Sequence, residues 1–415
     1  MFGIKNYFIN EKKTDVLNIL FISVLPLVLV TRSAFINILT IIISLIFLFK
    51  IIHEKENLVI EKKIFYIFFF FWLSLIINSF FSTNFRVSFE RAFGFCKFIL
   101  LVFSISHYLK LKNFKYERFI YKSWFFIFLI ISADLLFEFC FGFNILGYKS
   151  YMPGRLAGFL NTELKIGNYY FGFILISLSY IFYNHKKYFF PICCLFLFIA
   201  LAIGERSNFI KTFIIVILFY FIISQDFFIK KIFFLFIFLI LLILIGFKND
   251  NIRLRFEGQF LKPLIDSSHI SEYINKTQYG AHYDTAVKIF YNYPVFGSGL
   301  KTFRDESSKI IYRSGNEYVD DKRWANHPHQ FHFEFLAETG IFGYISFITF
   351  FLLSIIWGIR SYLTNKNFYK LSSILFICLS LMPILPTGSF FTTYGATIFF
   401  INFAIMISYN KKKLI

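Results

Sequence analysis

Twelve apolar runs follow one another along this chain, near 16–31, 33–52, 64–82, 92–109, 119–142, 166–183, 188–203, 207–224, 227–247, 340–359, 370–386 and 389–408. A helix of roughly 20 apolar residues crosses about 30 Å of hydrocarbon. Lipid offers no water to an unpaired amide, so each run must bond its backbone internally. The first and seventh runs are short and would tilt little or thin the bilayer. The chain is 57% hydrophobic and 23% aromatic, with 66 phenylalanines and a mean hydropathy of +0.64, far beyond a soluble domain. The expected fold class is an all-α integral membrane protein of about twelve transmembrane helices with one large loop between helices nine and ten. Residues 1–247 carry helices one to nine, 248–339 the loop, and 340–415 helices ten to twelve.

Basic residues set the orientation. Lys5, Lys12 and Lys13, then KIIHEKENLVIEKK, KLKNFKYER, NHKK, QDFFIKK, RSYLTNKNFYK and the final NKKK fall on one side of the expected membrane. Lysine and arginine crowd cytoplasmic loops, which places both termini in the cytoplasm and the 248–339 loop on the opposite, outward face. The net charge of +19 therefore reports topology, and no nucleic-acid partner is implied. No small-residue cleavage site follows the first run, so that helix is expected to be retained. Cys96, Cys140, Cys193, Cys194 and Cys378 lie in apolar stretches and imply neither a disulfide framework nor a thiolate metal site. Phenylalanine and isoleucine are expected to fill lipid-facing positions.

The loop holds five of the eight histidines, and a segment of that length in a tightly connected bundle has a function or its own structure. Short amphipathic helices are expected in it, one of them over 283–293, ended by Pro294 and Gly297. It closes on NHPHQFHFEFLAETGIFG, residues 326–343, where His327 and His329 flank a proline just before a membrane helix. A helix N-terminus attracts anions and keeps a nearby imidazole neutral, able to take a proton. His329 is the expected base, with His327 or Glu338 as orienting partner, and His332 is expected to be structural. The histidines lack a metal-ligand spacing, so no metal is implied. Glu334 and Glu338 share a helix face, where capping and dipole complementarity suffice to explain them. Gly340 and Gly343 are read as permitting close helix packing.

Charges at a membrane rim are costly unless used. Arg206 opens a helix in GERSNF and offers a bidentate donor set for phosphate oxygens. Arg155, in GRLAGFLN, either pairs with Glu163 or a lipid headgroup or contacts substrate. Asp134 and Glu138, one turn apart, either pair with rim arginines or line a polar cavity for a sugar.

These motifs resemble those of the O-antigen ligase and polymerase superfamily. Its signature has His followed by Asn, Ser or Gln, nine residues and Gly-x-x-Gly, here His329, Gln330, Gly340 and Gly343. GRLAGFLN, GERSNFIKTF and AVKIFYNYPVFGSGLKTFR are similar to further family segments, with Arg206 in the place of a family arginine. A second outward arginine, looked for near 279–282, is absent; His282, Arg253, Arg255 or Arg304 would substitute.

The resemblance implies glycosyl transfer at the periplasmic face of the bacterial inner membrane. The implied donor is a glycan on undecaprenyl pyrophosphate, and the acceptor a sugar hydroxyl of lipid A-core, or another lipid-linked glycan in a polymerase. An oligosaccharyltransferase acting on protein is a weaker relative of the same reading. No cofactor is implied, since pyrophosphate is the leaving group. His329 would serve as base in a metal-independent, inverting displacement, with Arg206, Arg155, His327, Glu338 and His282 toward substrate. The alternative of another class is a lipid-glycan transporter, which would keep its ionisable groups near the membrane midplane.

Overall fold

The computed structural model describes residues 12–53, 62–110, 114–223, 250–261, 277–383 and 385–408, with isolated positions between 224 and 276. Among the described residues there is helix and no strand. The main helices are α1 (Lys13–Leu29), α2 (Ser33–His53), α3 (Lys62–Ser79), α4 (Phe85–Gly94), α5 (Cys96–Lys110), α6 (Phe114–Phe141), α7 (Ile166–Asn184), α8 (Phe189–Ala202) and α9 (Arg206–Ile223). They continue as α10 (Gln278–Asn292), α11 (Phe303–Ser307), α12 (Glu317–Lys322), α13 (Phe331–Asn365), α14 (Phe368–Ser380) and α15 (Thr393–Ile407).

Among the described residues, seven segments are long and apolar enough to cross a membrane: Ser33–His53, Lys62–Ser79, Phe85–Lys110, Tyr116–Phe141, Ile166–Asn184, Arg206–Ile223 and Phe331–Asn365. Four further expected spans form shorter helices, α1, α8, α14 and α15. The expected run at 227–247 lies almost wholly outside the described residues.

Two boundaries differ from the hydropathy reading, and both matter for the site. α13 begins at Phe331 rather than 340, because Gln330 caps it: the Gln330 side-chain carbonyl accepts the His332 and Phe333 N–H groups at 2.6 and 3.3 Å. α14 stops at Ser380 and α15 starts at Thr393, since Pro383 and Pro386 cannot donate to a helix ladder. Residues 381–392 therefore form an irregular loop at the end of the bundle.

Phenylalanine builds the interior as well as the exterior, which corrects its assignment to lipid-facing positions. Phe68, Phe71, Phe335, Phe347, Phe350, Phe390, Phe400 and Phe403 are all buried, with Phe71 stacked on Phe350 at 4.9 Å. Phe70, Phe126 and Ile130 face outward, as lipid contact allows. Pro26 inside α1 cannot donate to the Ile22 carbonyl, and the buried Trp124 indole N–H takes that acceptor at 2.9 Å.

Candidate active site at one end of the bundle

The end of the bundle is assembled around a break in α13. Gly340 has φ 61° and ψ −166° inside an otherwise helical segment, backbone that a side chain would strain. A Cβ there would lie 2.4 Å from the Val295 carbonyl oxygen. The break admits the loop after α10: Ile341 and Phe342 donate to the Pro294 and Val295 carbonyls at 2.9 and 3.0 Å, and Ser298 and Gly299 donate to Ala337 and Glu338 at 3.0 and 2.8 Å. The Pro-to-Gly-x-Gly stretch and the Gly-x-x-Gly stretch are thus mated segments, and Gly340 hosts a loop rather than a helix neighbour. Gly343 packs against its own helix, at the Thr339 side chain.

Glu338 is fully buried and belongs to this joint. Its carboxylate accepts the Lys301 and Phe303 N–H groups at 2.8 and 3.3 Å; it orients the loop, not His329. Glu334, also fully buried, accepts from the Ser389 hydroxyl and from the Phe390 N–H at 2.7 Å. Both carboxylates hold loops, beyond the capping role read from their spacing.

His329 stands immediately before the Gln330 cap, with φ 59°, a left-handed conformation uncommon outside glycine. Its ring lies 4.1 Å from that of His327 and stacks at 5.3 Å on His282. Tyr279 meets it edge-on at 5.6 Å. Tyr279 and His282 share one face of α10, a helix capped by the Thr277 hydroxyl and packed on α13 through the stacked Tyr283 and Phe333 rings. Among the described residues, Nε2 of His327 has no hydrogen-bond partner.

Burial lowers all three imidazoles from their usual range. His329 falls to about 4. His282 also falls to about 4, burial first and His329 second. His327 falls to about 2 through burial, then His329, Lys301 and His282. All three are neutral at pH 7. His332 is different: its Nδ1 and Nε2 contact the Tyr344 hydroxyl and the Leu381 carbonyl at 3.0 and 2.7 Å, a structural placement.

The arginines gather beside this cluster. Gly204, at φ 74°, lies against the Gly154 carbonyl, and Leu156 N–H donates to Ile203 at 3.1 Å. This brings Arg155 to the start of α9, where Arg206 is the first residue. Arg155 pairs with Glu205 at 2.9 Å and donates to the Leu164 carbonyl at 2.5 Å; Glu163 pairs instead with Lys165. Glu205 also accepts from the Gly167 N–H and the Asn208 amide.

Arg255 is the third guanidinium. It donates to the Gly204 carbonyl at 3.4 Å and reaches the Met152 sulfur. Burial, then the charges of Arg206 and Arg155, lower it to about 10, while Tyr279 and Glu205 oppose that shift. It remains charged. Tyr279, in ring contact with His282 and His329, is thus also within electrostatic reach of Arg255. Of the other substitutes considered, Arg253 pairs with Asp250 and Glu257, and Arg304 covers Trp324.

A cavity of about 200 Å³ opens next to Arg155, lined also by Glu138, Ser150, Met152, Leu156 and Ile252. Asp134 and Glu138 do not pair with the arginines. Asp134 accepts the Ile145 N–H at 2.9 Å, and Glu138 accepts those of Ala157 and Gly158, holding the loop that presents Arg155. Arg155, Arg206, His282, His327 and His329 are thus brought to one rim, and Glu338 lies in its support. Sequence reasoning had no signal for Tyr279 as a link or for the 381–392 loop.

Apolar spanning helices with a cationic and imidazole cluster at one end define an integral membrane protein with a polar rim site. Residues 191–348 match the family model described as O-antigen ligase, a match over this part of the chain that supports the resemblance to the O-antigen ligase and polymerase superfamily. The match includes every rim residue named above except Arg155. No curated protein matches the chain.

Proposed function

We propose that this protein transfers a glycan from undecaprenyl pyrophosphate to a sugar hydroxyl of lipid A-core at the periplasmic face of the inner membrane. The observation that carries the reading is that His329 and the arginine-bearing start of α9 meet at one rim, joined through the Pro386–Thr387 peptide, with Tyr279 against the His329 ring. In a single displacement the acceptor oxygen attacks the anomeric carbon and the bond from that carbon to the phosphate oxygen breaks. The acceptor proton passes to His329, and the electron pair leaves with undecaprenyl pyrophosphate.

A sugar hydroxyl is a weak acid, so proton transfer to a base with a low pKa comes late, when the new bond has already acidified the oxygen. The leaving pyrophosphate gains charge, and guanidinium groups fixed in advance stabilise it without reorganisation. The start of α9 adds a positive dipole end at the same place. Displacement from the opposite face inverts the anomeric carbon.

The test supplies purified protein with labelled undecaprenyl-pyrophosphate glycan and either lipid A-core or donor alone. Label on lipid A-core, lost in His329→Ala, is the expected result. Longer lipid-linked chains without core would make the enzyme a polymerase using the same donor and base. An active His329→Ala protein would remove the mechanism, and no transfer to either acceptor would favour transport.

A further inference from the structure

We propose that Lys211 is a positioning residue for His329, acting through the single peptide unit between Pro386 and Thr387. The inference rests on the reading of His329 as the base. The two polar ends of that peptide face different parts of the site. On one end the Pro386 carbonyl accepts from the Lys211 ammonium at 2.7 Å and from the Ser207 hydroxyl at 2.6 Å. On the other the Thr387 N–H donates to the His329 carbonyl at 2.7 Å.

A peptide unit is planar and stiff, so it acts as a strut. Ser207 and Lys211 lie one turn apart on α9, directly after Arg206. The helix that presents an arginine is therefore tied to the backbone of the base by two consecutive hydrogen-bonded contacts. His329 sits in the left-handed region, where an L-residue stays only if its surroundings hold it. The Thr387 N–H donates to its carbonyl, and the donors from Lys211 and Ser207 on the far end of the same peptide polarise and strengthen that bond.

Packing does not explain the lysine. Lys211 is 2% exposed, and its ammonium lies 5.7 Å from the Phe171 ring centroid. An apolar side chain of similar length would fill that space without desolvating a charge. Ser207 already supplies the Pro386 carbonyl with one donor, so the ammonium adds polarisation and rigidity rather than mere satisfaction.

The experiment compares full-length Lys211→Met, Lys211→Arg and Ser207→Ala with a control, Lys370→Met. Lys370 is 1% exposed and bonds the Ser361 hydroxyl at 2.6 Å, away from the rim. Each protein is assayed for kcat and KM in glycan transfer. Each is also assayed for the rate at which diethylpyrocarbonate modifies His329, read by peptide mass spectrometry against His53 and His185. Lys211→Met should lower kcat on the order of 10- to 100-fold, the cost of a misplaced catalytic group, with KM nearly unchanged. His329 labelling should change severalfold, and Lys211→Arg should recover part of both.

Wild-type kcat and labelling in Lys211→Met would overturn the proposal. So would an equal kcat loss in Lys370→Met, which would mark a general effect of removing a buried lysine. If the wild-type protein transfers no glycan, the reading of His329 as base falls by itself. The labelling still decides the strut: a changed rate supports it and an unchanged rate overturns it.

Discussion

Replacing Gly204 by alanine should disarm the arginine cluster while leaving the histidines in place. A Cβ at this position would lie 1.9 Å from the Gly154 carbonyl oxygen and 3.4 Å from the Arg155 Cα. A carbon-to-oxygen contact relaxes to about 3.3 Å, so the 154–155 segment must retreat by about 1.4 Å. The positive φ of 74° adds about 1–2 kcal/mol for an L-residue. Arg155, held to Glu205 at 2.9 Å, moves with its backbone, and a displacement near 1 Å in a substrate-positioning group costs about 100-fold in rate.

Gly147→Ala is the matched control. Gly147 has φ 82° and nothing within 4 Å of its Cβ position, so it carries the backbone strain without the clash. Steady-state transfer kinetics should show kcat/KM for Gly204→Ala about 100-fold below Gly147→Ala, with histidine labelling equal in the two. Equal kinetics would refute the argument that this contact places Arg155.

Acid should act on the fold before it acts on the base. The three imidazoles sit below their usual 6.5 in the folded protein, so the unfolded chain binds protons more readily; stability present above pH 6.5 should fall as pH drops toward 4. Initial rates of kcat/KM taken before unfolding should keep their full value at pH 5.5, and an acid limb near 6.5 would contradict the burial of His329. Gln330→Leu should remove the α13 cap and cost about 1 kcal/mol of stability, seen as a lower thermal midpoint and a reduced kcat; Gln330→Asn should retain more of both. An unchanged midpoint in Gln330→Leu would show that the cap is idle.

The helices were legible because their cause is local: a run of apolar residues long enough for a bilayer has one way to satisfy its amides. The candidate residues were legible for a related reason, since Arg155, Arg206, His282, His327 and His329 are ionisable groups at the margins of such runs, where charge is kept only if used. Arg255 could be named only among several substitutes, because nothing in its own segment says that Gly204 and Met152 will receive it. Glu338 is the opposite case; its spacing from Glu334 suggests a helix face, and only the fold turns that face toward the loop at Lys301 and Phe303.

Hydropathy read residues 370–386 and 389–408 as spans and passed over the loop between α14 and α15. That loop's meaning lies in partners distant in sequence, Ser207, Lys211, His329 and Glu334. Likewise Gly340 reads as a packing glycine until the 294–299 loop is seen inside the helix break. Sequence alone determined that this chain carries apolar runs of membrane-spanning length and which ionisable side chains border them, because hydropathy and charge act over a few helical turns. Tertiary structure decided which of them meet, because the hydrogen bonds that join α9, α13 and the 381–392 loop pair groups far apart in sequence, and no local pattern says which side chain will reach which distant backbone group.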